Sequence, residues 1–145
     1  MSTATTMSRG GVWGVFRWVL IVLHTALGVS AVSAGLALAK DPSGAPLTFE
    51  VQWLDGSPFD DYRIPGLFLA LVIGSTNLLS AVGQWRRRAW APFASLGTGV
   101  LLMTWMTIQT LIIEYQHWTQ VGWAAIFALV AALGAYQLRR RRPVD

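Results

Sequence analysis

Four long apolar runs, each closed off by a polar cluster, organise the chain: Trp18 to Ala39, Ile64 to Trp85, Trp90 to Ile113 and Val121 to Leu138. The first holds 22 residues, interrupted only by His24 and small hydroxyls. At 1.5 Å rise per residue a helix of that length reaches roughly 33 Å, enough to cross the hydrocarbon core of a bilayer. The other three are long enough to do the same. The pattern predicts an all-α membrane protein: one antiparallel four-helix transmembrane bundle over residues 1–145, with helices at about 18–39, 64–85, 90–113 and 121–138. One long outer loop, residues 40–63, joins the first two helices, and little chain remains for a soluble domain.

The basic residues orient these spans. Cationic side chains are retained on the cytoplasmic side, and here they gather at alternate connections. Arg9 and Arg17 precede the first run, Arg86, Arg87 and Arg88 separate the second from the third, and Arg139 to Arg142 follow the fourth. The loop at 40–63 sets Lys40 and Arg63 against Asp41, Glu50, Asp55, Asp60 and Asp61, and residues 114–120 hold no arginine or lysine. An even number of spans with both termini inside the cytoplasmic (inner) membrane satisfies every segment. Tryptophan agrees, since indole rings collect at headgroup level. Trp13, Trp18, Trp85 and Trp90 mark the inner surface, Trp118 and Trp123 the outer one, and Trp105 alone sits well inside a span. Ala37-Leu38-Ala39 resembles a signal-peptidase site, but the first run exceeds the 7–15 residues of a signal core, so the expectation is a retained helix.

Composition fits lipid: 54% of residues are hydrophobic and 12% charged, with a mean hydropathy of +0.48. The net charge of +4 raises nucleic-acid binding as a class. Short arginine clusters beside apolar runs, with no groove-reading motif, argue against it. There are no cysteines, which removes disulfides, thiolate chemistry and cysteine-ligated metals together.

The outer loop is the most specific region. Asp41-Pro42-Ser43-Gly44 carries the residue preferences of a type I turn, where the first helix must end. From Leu47 to Leu54 the chain alternates, with Leu47, Phe49, Val51 and Trp53 on one side and Thr48, Glu50 and Gln52 on the other. This predicts a short extended segment lying across the outer mouth of the bundle, apolar face down. In Ser57-Pro58-Phe59-Asp60-Asp61-Tyr62-Arg63-Ile64-Pro65-Gly66 the aspartates can cap the second helix, and Pro65 suits its first turn. Arg63 is close enough to pair with either aspartate. Phe49, Trp53, Asp60, Asp61, Tyr62 and Arg63 make up the candidate outer-loop surface.

These motifs, Asp-Pro-Ser-Gly after the first helix and Ser-Pro-Phe-x-Asp-Tyr-x-Ile-Pro-Gly entering the second, resemble those of a widespread group of small bacterial membrane proteins with four spans. The likeness covers about residues 18–138. The group brings no established activity, so the resemblance implies a fold and no chemistry. The polar Glu114-Tyr115-Gln116-His117 connection departs from it.

Close helix packing in lipid relies on small residues, and these recur at spacing four. Ser30 with Ala34 and Ala31 with Gly35 lie on the first helix, Gly66, Ala70 and Gly74 on the second, and Ala124, Ala128 and Ala132 on the fourth.

An ionisable residue inside a span is costly and is by default a candidate site. His24 lies six residues beyond Trp18, about 9 Å into the first helix, and Asn77 reaches a similar depth on the second. Two readings stand: a neutral imidazole bonded to Asn77 or Thr25 that joins two helices, or a proton-relay or ligand role. Gln109, with Glu114 and His117 beyond it, forms a second polar group at the outer mouth. Glu114 and His117 have the Glu-x-x-His spacing of di-iron bundles, but that centre needs a second such pair and further carboxylates, so no metal and no cofactor is expected. No nucleophile elbow, phosphate loop or dinucleotide fingerprint occurs. The leading expectation is a noncatalytic membrane protein that binds membrane lipid or a partner protein, a second copy of itself included. The alternative is a small membrane enzyme or carrier for a lipid-like molecule, with His24, Asn77, Gln109 and Glu114 lining one internal cavity.

Overall fold

A computed structural model describes the backbone over residues 9–113 and 119–141 and the side chains over 14–111 and 120–140. It forms an antiparallel bundle of four helices long and apolar enough to cross a membrane. These are α1 (Arg9–Lys40), α2 (Arg63–Trp85), α3 (Ala91–Ile113) and α4 (Thr119–Arg141). Each covers its expected run, and α1 starts a further two turns toward the N-terminus. Large apolar side chains face outward on all four: Val22 is 62% exposed, Leu71 66%, Leu111 79% and Val121 61%. In water each would forfeit the free energy of burying an aliphatic side chain. Against lipid tails they cost nothing, so the chain is a multi-pass membrane protein.

α2 is not uniform. After one α-helical segment, Arg63–Phe68, it opens into a π-helical stretch, Leu69–Gly74, and resumes as Ser75–Trp85. A change of hydrogen-bond period loosens the ladder, and in hydrocarbon any freed carbonyl must find a donor within the protein. The next residues supply them. Ser75 donates its hydroxyl to the Leu71 carbonyl, Thr76 to that of Val72 at 2.7 Å, and the Asn77 amide to that of Ile73 at 2.9 Å.

The bundle is built from two hairpins, α1 with α2 and α3 with α4. Each closes on glycine. A Cβ on Gly35 of α1 would lie 2.4 Å from the Gly66 carbonyl oxygen and 2.5 Å from the Ala70 nitrogen of α2. One on Gly134 of α4 would lie 2.6 Å from the Leu96 nitrogen of α3, and one on Gly99 of α3 would lie 2.6 Å from Ala131 of α4. The small-residue pattern therefore holds for α1 and α2 and needs correction for α4. Ala128 and Ala132 are exposed there, and Ala131 and Gly134, on another face, make the contact. Leu20, Leu27, Ala31, Ile73, Leu102, Phe127 and Val130 fill the space between the hairpins.

The turn between α2 and α3 terminates α2 with paired bonds, Arg88 N–H to the Gly83 carbonyl at 3.0 Å and Arg87 N–H to that of Gln84 at 3.2 Å. This is the Schellman arrangement, which places its αL residue at the position of Arg87, whose φ is +53°. Glycine would fit that conformation better.

The loop corrects one expectation. Leu47–Leu54 is not an extended segment. It folds into two 3₁₀ turns, Ala45–Leu47 and Val51–Leu54, with Thr48 between them in the left-handed region at φ 56° and Glu50 extended. Alternation was the wrong period because a lone strand has no partner for its ladder, whereas a 3₁₀ turn satisfies its own. Gly44 starts the fold-back: its φ is +82°, and a Cβ there would lie 2.7 Å from the Phe49 carbonyl oxygen.

Two substitutions test this packing by thermal unfolding in detergent. Gly35→Val should lower stability by about 3 kcal/mol through overpacking. Arg87→Gly should raise it by up to about 1 kcal/mol through relief of the αL residue. Equal midpoints for both variants would contradict the geometry.

Candidate functional site

Two compartments lie between the hairpins, one polar and one apolar. The polar one occupies the end of the bundle that carries the arginines, and it draws on all four helices. His24 of α1 donates from Nδ1 to Asn77 Oδ1 of α2 at 2.9 Å, and its Nε2 lies 3.0 Å from Ser95 Oγ of α3. Ser95 Oγ also accepts from Gln84 Nε2 of α2 at 2.9 Å. Gln84 and Gln137 of α4 exchange amide bonds at 2.8 and 3.4 Å. One step away, Ser80 Oγ donates to the Thr76 carbonyl at 2.8 Å and lies 3.1 Å from Thr98 Oγ1. His24, Asn77 and Ser95 are wholly inaccessible, and Gln84 and Gln137 nearly so.

The donors and acceptors fix a direction. Asn77 Oδ1 can only accept, so the ring proton sits on Nδ1 and a neutral imidazole accepts at Nε2 from the Ser95 hydroxyl, whose oxygen in turn accepts from Gln84. The Asn77 amide nitrogen donates to the Ile73 carbonyl. Every member is satisfied with a neutral ring and no charge, the condition under which a buried polar network rigidifies a core.

Of the expected intramembrane group, the structure brings His24 and Asn77 together, at hydrogen-bond distance. The reach extends to four helices where two were expected. Gln109 belongs to the other compartment, and Glu114, with His117, lies outside the described residues. Ser95, Gln84, Gln137, Ser80 and Thr98 were not anticipated. A signal for two of them exists: Ser80 and Gln84 follow Asn77 at intervals of three and four on a largely apolar helix, marking one polar face.

The second compartment is an apolar cavity of about 340 Å³ toward the opposite end. Leu27, Ile73 and Leu102 floor it, each one turn from the polar network. Leu69, Trp105, Met106 and Phe127 form walls, with Phe68 stacked on Trp105 at 4.9 Å between ring centres. The outer loop roofs it through Leu47, Phe49, Leu54, Phe59 and Tyr62. The expected placement of this loop across the bundle mouth is thus realised by different geometry, and Val51, expected to face down, is 40% exposed. Ser30, Ile108 and Trp123 line the cavity and are themselves exposed, so the space is not sealed from its surroundings.

Tyr62 fastens the roof. Buried to 3% exposure, it donates its hydroxyl to the Glu50 carbonyl at 2.9 Å and its N–H to that of Pro42 at 3.0 Å, and its ring lies 5.5 Å from that of Phe49. Asp61 Oδ1 accepts from the Arg63 N–H at 2.8 Å and so starts α2; Asp41 Oδ1 accepts from the Ser43 hydroxyl at 2.6 Å and shapes the first turn. Burial first, and the Glu50 carboxylate second, push the Tyr62 phenol above its ordinary value of 10.0.

No family model matches the chain, no curated protein matches it, and no solved structure matches it.

Two outcomes follow from these compartments. His24→Ala strands Asn77 and Ser95 in the core and should lower stability by on the order of 2 kcal/mol, read as a lower unfolding midpoint in detergent; an unchanged midpoint would refute the clamp. For the roof, a raised phenol pKa means that the folded state favours the protonated form. Its contribution is complete below pH 10 and is lost as pH rises through the folded value. Proteolysis within 45–59 should accelerate above pH 10 in the native chain, and Tyr62→Phe should be faster at neutral pH and lose that alkaline step.

Proposed function

We propose that this protein is a noncatalytic membrane protein that takes one lipid-like molecule from the bilayer into its apolar cavity beneath the outer loop. It sits in the cytoplasmic membrane with both termini inside, an orientation supported by the arginines gathered at one end of the bundle and the acidic loop at the other. The observation that carries the reading is the cavity itself: about 340 Å³, at the small end of the range for ligand sites, lined almost wholly by carbon, roofed by a folded loop and not sealed. A space of this polarity excludes ions and sugars and welcomes hydrocarbon.

The enzyme reading is weaker on the same page. His24, the group best suited to proton transfer, has both ring nitrogens engaged by Asn77 and Ser95 and does not line the cavity. A purely protein partner is disfavoured because the concave apolar surface lies inside the bundle, under its own roof.

Native mass spectrometry from nanodiscs tests the proposal. Wild-type protein should leave the membrane with one retained lipid, and Ala34→Phe, which fills the cavity from α1, should lose it while unfolding at a midpoint within a few degrees of wild type. Equal retention by a folded Ala34→Phe would overturn the proposal.

A further inference from the structure

The cavity has a polarity gradient, and that gradient specifies a head group. Its floor is Leu27, Ile73 and Leu102, all apolar. Toward the roof, Gln109 of α3 lies seven residues beyond Leu102, two turns or about 10 Å higher. Its half-buried amide lines the cavity with no hydrogen bond to any described residue. Ser30 of α1 lines the same space, one turn above Leu27, and its hydroxyl is equally unengaged among the described residues. The remaining polar atom of the roof, the Tyr62 hydroxyl, is held by Glu50. An amide in an apolar site without a partner is costly, and here two helices leave open donors and acceptors facing one cavity. The loop above carries five carboxylates against Lys40 and Arg63, a rim that repels phosphate.

Resting on the lipid-binding reading above, we infer that the cavity selects an uncharged, oxygen-headed lipid, bound tail down and head up, with its carbonyl or hydroxyl oxygens hydrogen-bonded by Gln109 and Ser30. The chemistry is shared by acylglycerols and by isoprenoid quinones or alcohols. Anionic phospholipids are excluded on two grounds. The rim opposes their charge, and neither Gln109 nor Ser30 can compensate a phosphate as arginine does. At the arginine end of the bundle, where a phosphate would find compensation, the polar network fills the interior.

The test uses the full chain in nanodiscs that contain equal amounts of phosphatidylglycerol, phosphatidylethanolamine, diacylglycerol and menaquinone, with retained lipid identified by mass. Retention of diacylglycerol or of menaquinone supports the inference, and which one is retained distinguishes the two sources. Gln109→Leu should then cut retention of that lipid roughly fivefold, the loss of about one hydrogen bond, with an unfolding midpoint matching wild type, and Gln109→Asn should recover part of it. Preferential retention of phosphatidylglycerol overturns the inference and leaves the lipid-binding proposal standing. Retention of no lipid at all overturns both. Undiminished retention of a neutral lipid by Gln109→Leu overturns the assignment of its head group to Gln109.

Discussion

In hydrocarbon, a polar group without a partner has no water to turn to, and this constraint decides where the bundle is tight and where it is open. At the arginine end, five buried polar side chains from four helices bond one another in a chain that runs through His24, and Ser80 with Thr98 form a separate pair beside it. Individual hydrogen bonds between membrane helices average only about 0.6 kcal/mol, so the set acts less through its sum than through exclusivity. Displacing α1, α2 or α3 breaks bonds to at least two other helices, and displacing α4 leaves the Gln84 amide without its Gln137 partner. The same rule governs α2, where the π-helical stretch survives because Ser75, Thr76 and Asn77 cover the carbonyls it loosens. Asn77 takes part in both devices, which links the irregularity of α2 to the fixed position of the imidazole.

The opposite end follows from what is missing there. No comparable polar set joins the hairpins above Leu27, Ile73 and Leu102 among the described residues, and the glycine contact between hairpins, Gly83 against Trp90 and Ala91, lies at the arginine end. The space left between the hairpins there is the cavity. Its roof is a loop too short for a domain, held by Tyr62, Gly44 and the aspartate-led turns. One end is therefore closed by polar contacts among all four helices, and the other holds an apolar cavity under the loop.

How much of this was legible in the chain varies with the physics involved. The spans were plain, because long apolar runs bounded by arginine have few other solutions, and α1 to α4 fall on their expected ranges. The pairing of His24 with Asn77 was readable from matched depth. That Gly35, Gly66 and Ala70 lie on small-residue faces was readable from spacing, and the structure sets those faces against each other. The face of α4 was not, since Ala124, Ala128 and Ala132 match the small-residue pattern as well as Ala131 and Gly134 do, and only the partner helix decides between them. Gln84, Ser95 and Gln137 were passed over because each is unremarkable alone and gains meaning only when three helices converge. The 3₁₀ turns of the loop were hidden by an alternation that mimics a strand, and Gln109 was grouped with His24 on polarity when a core of leucine and isoleucine separates them. No residue pattern announces a cavity, which is a property of where helices fail to meet.

The absence of cysteine makes the central claim directly measurable, since spin labels can be placed at chosen pairs without background. Distances between α1 and α4 should be recorded by pulsed electron resonance in nanodiscs, with one pair at the arginine end, Val15 with Arg139, and one at the loop end, Leu36 with Val121. The account predicts a narrow distribution at the arginine end under all conditions and a broader one at the loop end, which sharpens when a retained lipid occupies the cavity. Equal widths at the two ends, or a broader distribution at the arginine end, would contradict it.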